Sequence, residues 1–209
     1  MDDLPTVAAA ERYLAEAAEL SPGPWVSHSR VVASAASAIA RHDRRLDPER
    51  AYVLGLLHDI GRRAGGPGVA DVRHLLDGYH FMRAEGFDDA ARICLTHSFP
   101  APLKAVDAFA SPWDCPAEER QLVQAFLDGL EYTPDDRLIQ LCDSLSLPTG
   151  FCLIERRLVD VALRHGFNAL TLDKWRAYLG LREEFDRAVG GSIYRLLPGV
   201  VEHTFGWTS

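Results

Sequence analysis

The sequence is poor in cysteine and has no long apolar run. Only four cysteines occur in 209 residues, and none of them forms a CxxC pair or the short pairs of a zinc knuckle. Their number and spacing do not suggest a disulfide framework, so we expect reduced and mostly buried thiols. The apolar stretch at residues 51–57 is far shorter than the roughly 20 residues that a spanning helix needs. We therefore expect no membrane span.

A dense basic run is also absent. The formal net charge is -8 and the sequence pI is about 5.4. Sequence-independent binding to a nucleic-acid backbone therefore has no electrostatic basis, although small nucleotides remain possible partners. The first residues, Met1-Asp2-Asp3, are acidic where a signal peptide would be basic. We expect a cytoplasmic protein.

Apolar residues recur at three- and four-residue spacing along nearly the whole chain, whereas the alternation typical of strands is hard to find. This pattern predicts an all-α protein. Start and stop signals place helices at about residues 5–20, 25–42, 48–59, 71–86, 88–96, 116–131, from 134 onward, 153–165 and 171–189. Two starts are well marked, by Asp47-Pro48-Glu49 and by the capping-box pattern at Thr133, and Asp71 is a plausible cap. No linker separates two domains, so we expect one domain over residues 1–209.

The longest irregular connection is predicted at residues 99–116, which contain four prolines. This segment could lie over a pocket. Its aromatic residues, Phe99, Phe109 and Trp113, could stack on a base or could only seal the core. The sequence leaves both interpretations open.

Several polar residues fall on apolar helix faces. His28 shares a stripe with Val31 and Val32, and His58-Asp59 closes the most apolar helix. Asp143 has Ile139 and Leu147 four residues away on either side, and a lone buried carboxylate is costly unless it is paired or bound to metal. Two more histidines, His74 and His97, adjoin short apolar helices. Imidazoles and carboxylates from separate helices are what a metal site requires.

A second such dipeptide, His42-Asp43, lies in a charged stretch at a helix end. We expect it to be solvated.

The ordered residues resemble a known family. His28, then His58-Asp59-Ile60-Gly61-Arg62, then Asp143, is similar to the H…HD…D pattern of the HD superfamily of metal-dependent phosphohydrolases. His74-x-x-x-Gly78 and Thr96-His97 resemble the additional histidines of its dinuclear branches, which include bacterial dinucleoside tetraphosphate hydrolases. The resemblance covers about residues 24–160, which leaves a helical C-terminal extension at about 161–209.

The resemblance implies an HD-type helical bundle and a site with two divalent ions, of iron, manganese, zinc or magnesium. In it His28, His58, Asp59 and Asp143 hold one ion, His74 and His97 hold the other, and Asp59 bridges them, so that His58 and Asp59 are the central catalytic residues. His80 could replace His74, but the glycine four residues after His74 matches the family spacing. The candidates for binding phosphate are Arg62, Arg63 and Lys104.

Three functions are compatible with these residues. The first is hydrolysis of a small phosphoester or nucleotide. The second is a di-iron oxygenase that uses the same ligands, and the third is a non-catalytic module that binds a nucleotide. The expected partner is a small phosphorylated molecule, and a homo-oligomer is possible.

Overall fold

The computed structural model describes residues 4–65, 72–110 and 113–207 and shows the expected all-α protein. The described ranges contain these α-helices: α1 Val7–Leu20, α2 Pro24–Ala40, α3 Pro48–Leu57, α4 His74–Ala84, α5 Asp88–Thr96, α6 Ala117–Gly129, α7 Pro134–Asp143, α8 Ile154–His165, α9 Thr171–Val189 and α10 Val200–Phe205. Short 3₁₀ helices span Ile60–Ala64, Val106–Ala108 and Ile193–Leu196. No helix in these ranges is both long enough and apolar enough to cross a membrane.

The predicted caps of two helices are confirmed. The Asp47 side chain accepts a hydrogen bond from the backbone N–H of Arg50 at the start of α3. The capping box at α7 is complete, because Thr133 and Asp136 bond each other's backbone N–H groups. Both α5 and α9 begin and end at the predicted residues. The predicted cap Asp71 lies outside the described residues.

Besides the short 3₁₀ helices at residues 60–64 and 106–108, the C-terminal part of the chain contains elements that were not predicted. Two-residue strands, β1 Ser146–Leu147 and β2 Gly150–Phe151, form an antiparallel hairpin in which Ser146 is opposite Phe151. The 3₁₀ helix at residues 193–196 and helix α10 follow α9. The strands are too short to show an alternating pattern.

The core is built around α2 and α3, which pack very closely. A Cβ atom added to Gly55 would lie 2.7 Å from the Cα atom of Ala33, so this contact needs glycine. The close approach brings the imidazole rings of His28 and His58 to a centroid distance of 5.3 Å.

A second close contact joins the 3₁₀ helix Ile60–Ala64 to α4. A Cβ atom on Gly61 would lie 2.0 Å from the carbonyl oxygen of His74 and 2.4 Å from the amide nitrogen of Gly78. Gly78 in turn lies against Cys94 of α5. This packing holds His74 beside the residues that follow α3.

Candidate metal centre

The end of α3 directs two adjacent polar residues inward. The predicted helix continued to Asp59, but α3 ends at Leu57 and the chain enters the 3₁₀ helix at Ile60. His58 and Asp59 are nevertheless both buried, at 1% and 4% exposed, like the apolar residues of α3 that precede them.

Backbone carbonyl groups orient two of the histidines. The Nδ1 atom of His58 donates to the carbonyl oxygen of Gly55 at 2.7 Å, and that of His97 donates to the carbonyl oxygen of Ile93 at 3.1 Å. Each Nε2 atom is therefore left with its lone pair, which is the form that binds metal. The buried Nε2 atom of His58 has no hydrogen-bond partner in the structure.

Asp59 lies at the centre of the cluster. Its Oδ1 atom is 3.1 Å from the Nε2 atom of His74 and 3.6 Å from that of His97. Its Oδ2 atom accepts a 2.7 Å hydrogen bond from the Nε atom of Arg62 and lies 3.9 Å from the Nε2 atom of His58. The two carboxylate oxygens thus face different groups.

His28 and Asp143 form the other end of the cluster. The Nε2 atom of His28 donates to the Oδ1 atom of Asp143 at 2.9 Å, and the Nη2 atom of Arg157 lies 3.7 Å from the same oxygen. Metal binding at this nitrogen would require His28 to release that proton.

The donor atoms are close enough to share ions. Two sets each have their possible ligand atoms within 4.8 Å of one another: His28 with His58 and Asp143, and His58 with Asp59 and His97. Three imidazole and carboxylate ligands at this spacing suit a divalent transition metal. The orphaned Nε2 atom of His58 belongs to both sets, so the residues present fit the metal that the family pattern implies.

The ionisation states of the cluster also suit metal binding. Burial lowers the pKa of His58 and lowers that of His97 to about 3, so both imidazoles are neutral at pH 7. Burial acts to raise the pKa of Asp59, but the charge of Arg62 and the neighbouring histidines hold it well below its usual value. Burial also acts to raise the pKa of Asp143, but the hydrogen bond and charge of His28, together with the charge of Arg157, lower it. Deprotonated ligands bind metal without first losing a proton.

The cluster opens into a cavity of about 640 Å³. Its floor includes His28, Asp59, His74, His97 and Asp143, and its walls come from the loop around Phe109, the β1–β2 turn, α8 and α9. The cavity is large enough for a small organic ligand.

A family comparison agrees with this geometry. A model of the HD domain matches residues 25–147, which is more than half of the chain. The chain belongs to the HD domain family. Most members of this family are metal-dependent hydrolases that bind divalent metals, and the His and Asp clusters are compatible with such ions. No curated protein and no solved structure matches the chain in the corresponding comparisons.

The HD match contains all the sequence-predicted ligands, and the structure brings them together. His74 is 4% exposed and lies beside Asp59, whereas His80 is exposed on the other side of α4. The geometry therefore places His74, and not His80, beside the other candidate ligands. The interpretation of His42-Asp43 as solvated is wrong for Asp43, which is buried and bound by Arg45.

Of the three predicted phosphate-binding residues, one lines the cavity and two do not. Arg62 lines the cavity. Arg63 does not line it, because its guanidinium group lies over the Phe81 ring at 3.9 Å from the centroid. Lys104 does not line it either, because its ammonium group donates to the carbonyl oxygen of Leu130. Neither Arg63 nor Lys104 is therefore positioned to contact a molecule bound in the cavity.

The three aromatic residues of the irregular connection also differ in whether they line the cavity. Phe109 lines the cavity. Phe99 is fully buried, and Trp113 packs against Phe109 while its Nε1 atom donates to the carbonyl oxygen of Val106. Phe99 and Trp113 therefore seal the core, as one of the two interpretations held.

Sequence reasoning missed the cations of α8 and α9. Arg157, Arg164 and Lys174 line the cavity, as does His165. Burial lowers the pKa of Lys174 to about 8 despite the opposing charge of Asp143. The spacing of residues 157, 160, 161 and 164 along α8 marks one helix face and could have indicated a shared surface.

Proposed function

We propose that this HD domain protein is a metal-dependent phosphohydrolase that acts on a small phosphoester through an activated water. One observation carries the proposal: six potential ligands from five helices or helix ends converge at one end of a cavity that also contains Arg62. A structural role alone does not account for a buried imidazole nitrogen that lacks a partner while facing other ligand atoms.

The proposed ligand assignment follows the two halves of the cluster. As the family resemblance implies, His28, His58, Asp59 and Asp143 would hold one ion, and His74 and His97 would hold a second, with Asp59 available to both. The positions of the Asp59 oxygens support this sharing, since Oδ1 is near His74 and His97 and Oδ2 is on the His58 side.

Divalent ions at these ligands would lower the pKa of the attacking water and offset the charge on the phosphoryl oxygens. Arg62 lies beside Asp59 and lines the cavity, so its remaining N–H groups can donate to a phosphoryl oxygen. Attack of the water oxygen on phosphorus forms one P–O bond and breaks the ester P–O bond, and the leaving alcohol takes up a proton. Helices α8 and α9 supply one wall of the cavity in which this reaction would take place.

Metal analysis tests the ligand set. Protein purified without chelator or affinity metal should contain about two ions per chain. His74→Ala should lower the content towards one ion, and His80→Ala is a matched control because this exposed histidine lies on the same helix. Equal loss in both variants would contradict the assignment of His74.

A screen of phosphoesters with Mn²⁺, Mg²⁺, Zn²⁺ or Fe²⁺ tests the reaction. We expect phosphate or alcohol release that disappears in Asp59→Asn. Oxygen consumption that depends on iron, without release of phosphate, would overturn the proposal in favour of an oxygenase. Nucleotide binding without metal or turnover would favour the binding module.

A further inference from the structure

One wall of the cavity is specific to the C-terminal part of this chain. The HD match ends at residue 147, and α8 and α9 begin at Ile154 and Thr171. These helices contribute Arg157, Arg164 and Lys174 to the cavity. The features that select a substrate therefore include residues that the family pattern does not contain.

Lys174 is the distinctive group in this wall. Its ammonium nitrogen lies 4.4 Å from the centroid of the Phe109 ring. Among the described residues, Lys174 forms no ion pair, whereas Arg157 and Arg164 both bind the Asp160 carboxylate, at 3.1 Å and 2.9 Å. In the part of the chain that the structure describes, Lys174 therefore contacts no carboxylate directly, although the charge of Asp143 acts on it from a greater distance.

The surroundings of Phe109 argue against a stacked base at this place. Lys174 covers a face of the ring, and Phe99 and Trp113 make edge contacts with it at centroid distances of 5.3 Å and 5.8 Å. A base could stack on the covered face only by displacing the ammonium group, which would forfeit the cation–π contact.

The local charge also favours an anion. The described residues that line the cavity include four Arg and Lys side chains against three Asp side chains, although the whole chain has a net charge of -8. Arg157 connects the wall to the ligand end, since its guanidinium group is 3.7 Å from Asp143. An anion at Arg157 and Lys174 would therefore be only a short distance from the ligands.

We propose that Lys174, with Arg157, binds a second anionic group on the organic part of the phosphoester, so that the substrate class is compact phosphoesters with an additional carboxylate or phosphate. This inference rests on the proposed function. It makes Lys174 a specificity-determining residue, because an ammonium ion without a carboxylate partner gains a charge-assisted hydrogen bond only when such a group is bound.

Calorimetry with matched probes tests the subsite directly. Glycerol 3-phosphate and 3-phosphoglycerate share a carbon chain, and only the second carries a carboxylate. Propane-1,3-diol bisphosphate supplies a second phosphate instead. We expect the two probes with a second anion to bind Mn²⁺-treated wild-type protein about tenfold more tightly than glycerol 3-phosphate, as one charge-assisted hydrogen bond allows. The tighter of the two identifies the anion.

Substitutions assign the preference to one side chain. Lys174→Met and Lys174→Gln should each remove most of the preference for probes with a second anion, and Lys174→Arg should retain part of that preference. Arg176→Met is the matched control, since Arg176 lies on α9, is exposed, pairs with Asp173 and does not line this cavity. Melting temperatures identify the variants that fold. If Lys174→Met does not fold, Lys174→Gln provides the neutral substitution.

The outcomes separate the two proposals. Equal affinity of wild-type protein for all three probes, or a preference that survives both neutral substitutions, would overturn the anion subsite. Tighter binding of a nucleoside monophosphate that Lys174→Met leaves unchanged would also overturn it. A preference that requires Lys174 without hydrolysis of any phosphoester would support the subsite while contradicting the proposed function, and hydrolysis without the preference would do the reverse.

Discussion

Gly61→Ala should damage both stability and the metal site. Gly61 follows the proposed ligand pair His58-Asp59 and lies against α4, which begins with the proposed ligand His74. A Cβ atom here would lie 2.0 Å from the His74 carbonyl oxygen and 2.4 Å from the Gly78 amide nitrogen. Both neighbours are backbone atoms, so no side chain can rotate away and the two segments must separate.

The size of the effect follows from this overlap. Ordinary contacts of a Cβ atom begin near 3.4 Å, so the clash exceeds 1 Å. Overpacking usually costs about 1–3 kcal/mol, and we expect about 3 kcal/mol because backbone must move. For a chain of this size, that corresponds to a melting temperature lower by about 6–12 °C. Separation of the segments would also lengthen the 3.1 Å distance between Asp59 and His74, which should weaken metal binding.

The assay is thermal unfolding of chelator-treated protein, followed by titration with Mn²⁺. Gly180→Ala is the control, since Gly180 lies within α9 and an added Cβ atom would meet nothing within 4 Å. Alanine there should raise the melting temperature by about 1–4 °C, from a helix-propensity gain of about 0.5–1 kcal/mol. A Gly61→Ala protein that melts at the wild-type temperature and binds Mn²⁺ equally well would refute the reasoning.

Three further predictions concern pH, capping and a buried ion pair. The folded His97 imidazole has a pKa of about 3 against the ordinary 6.5, so the metal-free protein should lose stability as pH falls below 6.5, by up to about 1.4 kcal/mol per pH unit. In urea unfolding at several pH values, the free energy of unfolding of His97→Gln should depend less steeply on pH than that of the wild type. Equal dependence on pH in the two proteins would contradict the low pKa of His97. Thr133→Ala removes the cap of α7 and should cost about 1 kcal/mol in urea unfolding, with Thr133→Ser close to wild type. Arg92→Leu leaves the fully buried Asp136 carboxylate without its guanidinium partner and should lower the free energy of unfolding in urea by about 3–5 kcal/mol. A smaller decrease than that of Thr133→Ala would show that the remaining hydrogen bonds to Asp136, such as that from Thr96, stabilise the carboxylate without Arg92.

The helices and the buried polar cluster could be predicted because each carries a local signal. Helix starts were marked by caps such as Asp47 and Thr133, whose side chains bond the first backbone N–H groups. His28 and Asp143 stood out because each interrupts an apolar stripe, and a polar group there needs a partner. The burial of both His58 and Asp59 was less predictable, since Asp59 lies beyond the end of α3, where helical spacing no longer indicates the direction of a side chain.

The cavity wall could not be predicted in the same way. Arg157, Asp160 and Arg164 have the spacing of charged pairs on a solvated helix face, and only the packing of α8 beside the ligand cluster turns this face towards a ligand. Lys104 and Arg63 illustrate the opposite error, since both were predicted to bind phosphate but their charged groups contact other parts of the fold instead.

The two parts of the cavity are held in different ways, and this difference has a functional consequence. His58, His97 and Asp143 follow or end helices, and carbonyl groups of the preceding turn orient the two imidazoles. Their positions therefore depend on backbone packing, which tolerates little change. Lys174, in contrast, reaches the cavity from a helix face through a flexible side chain that bonds no ligand residue. Substitutions in α8 and α9 can thus change which organic group is bound while the proposed metal ligands stay in place. Lys174→Met should therefore retain the wild-type metal content even though it loses the preference for a second anion.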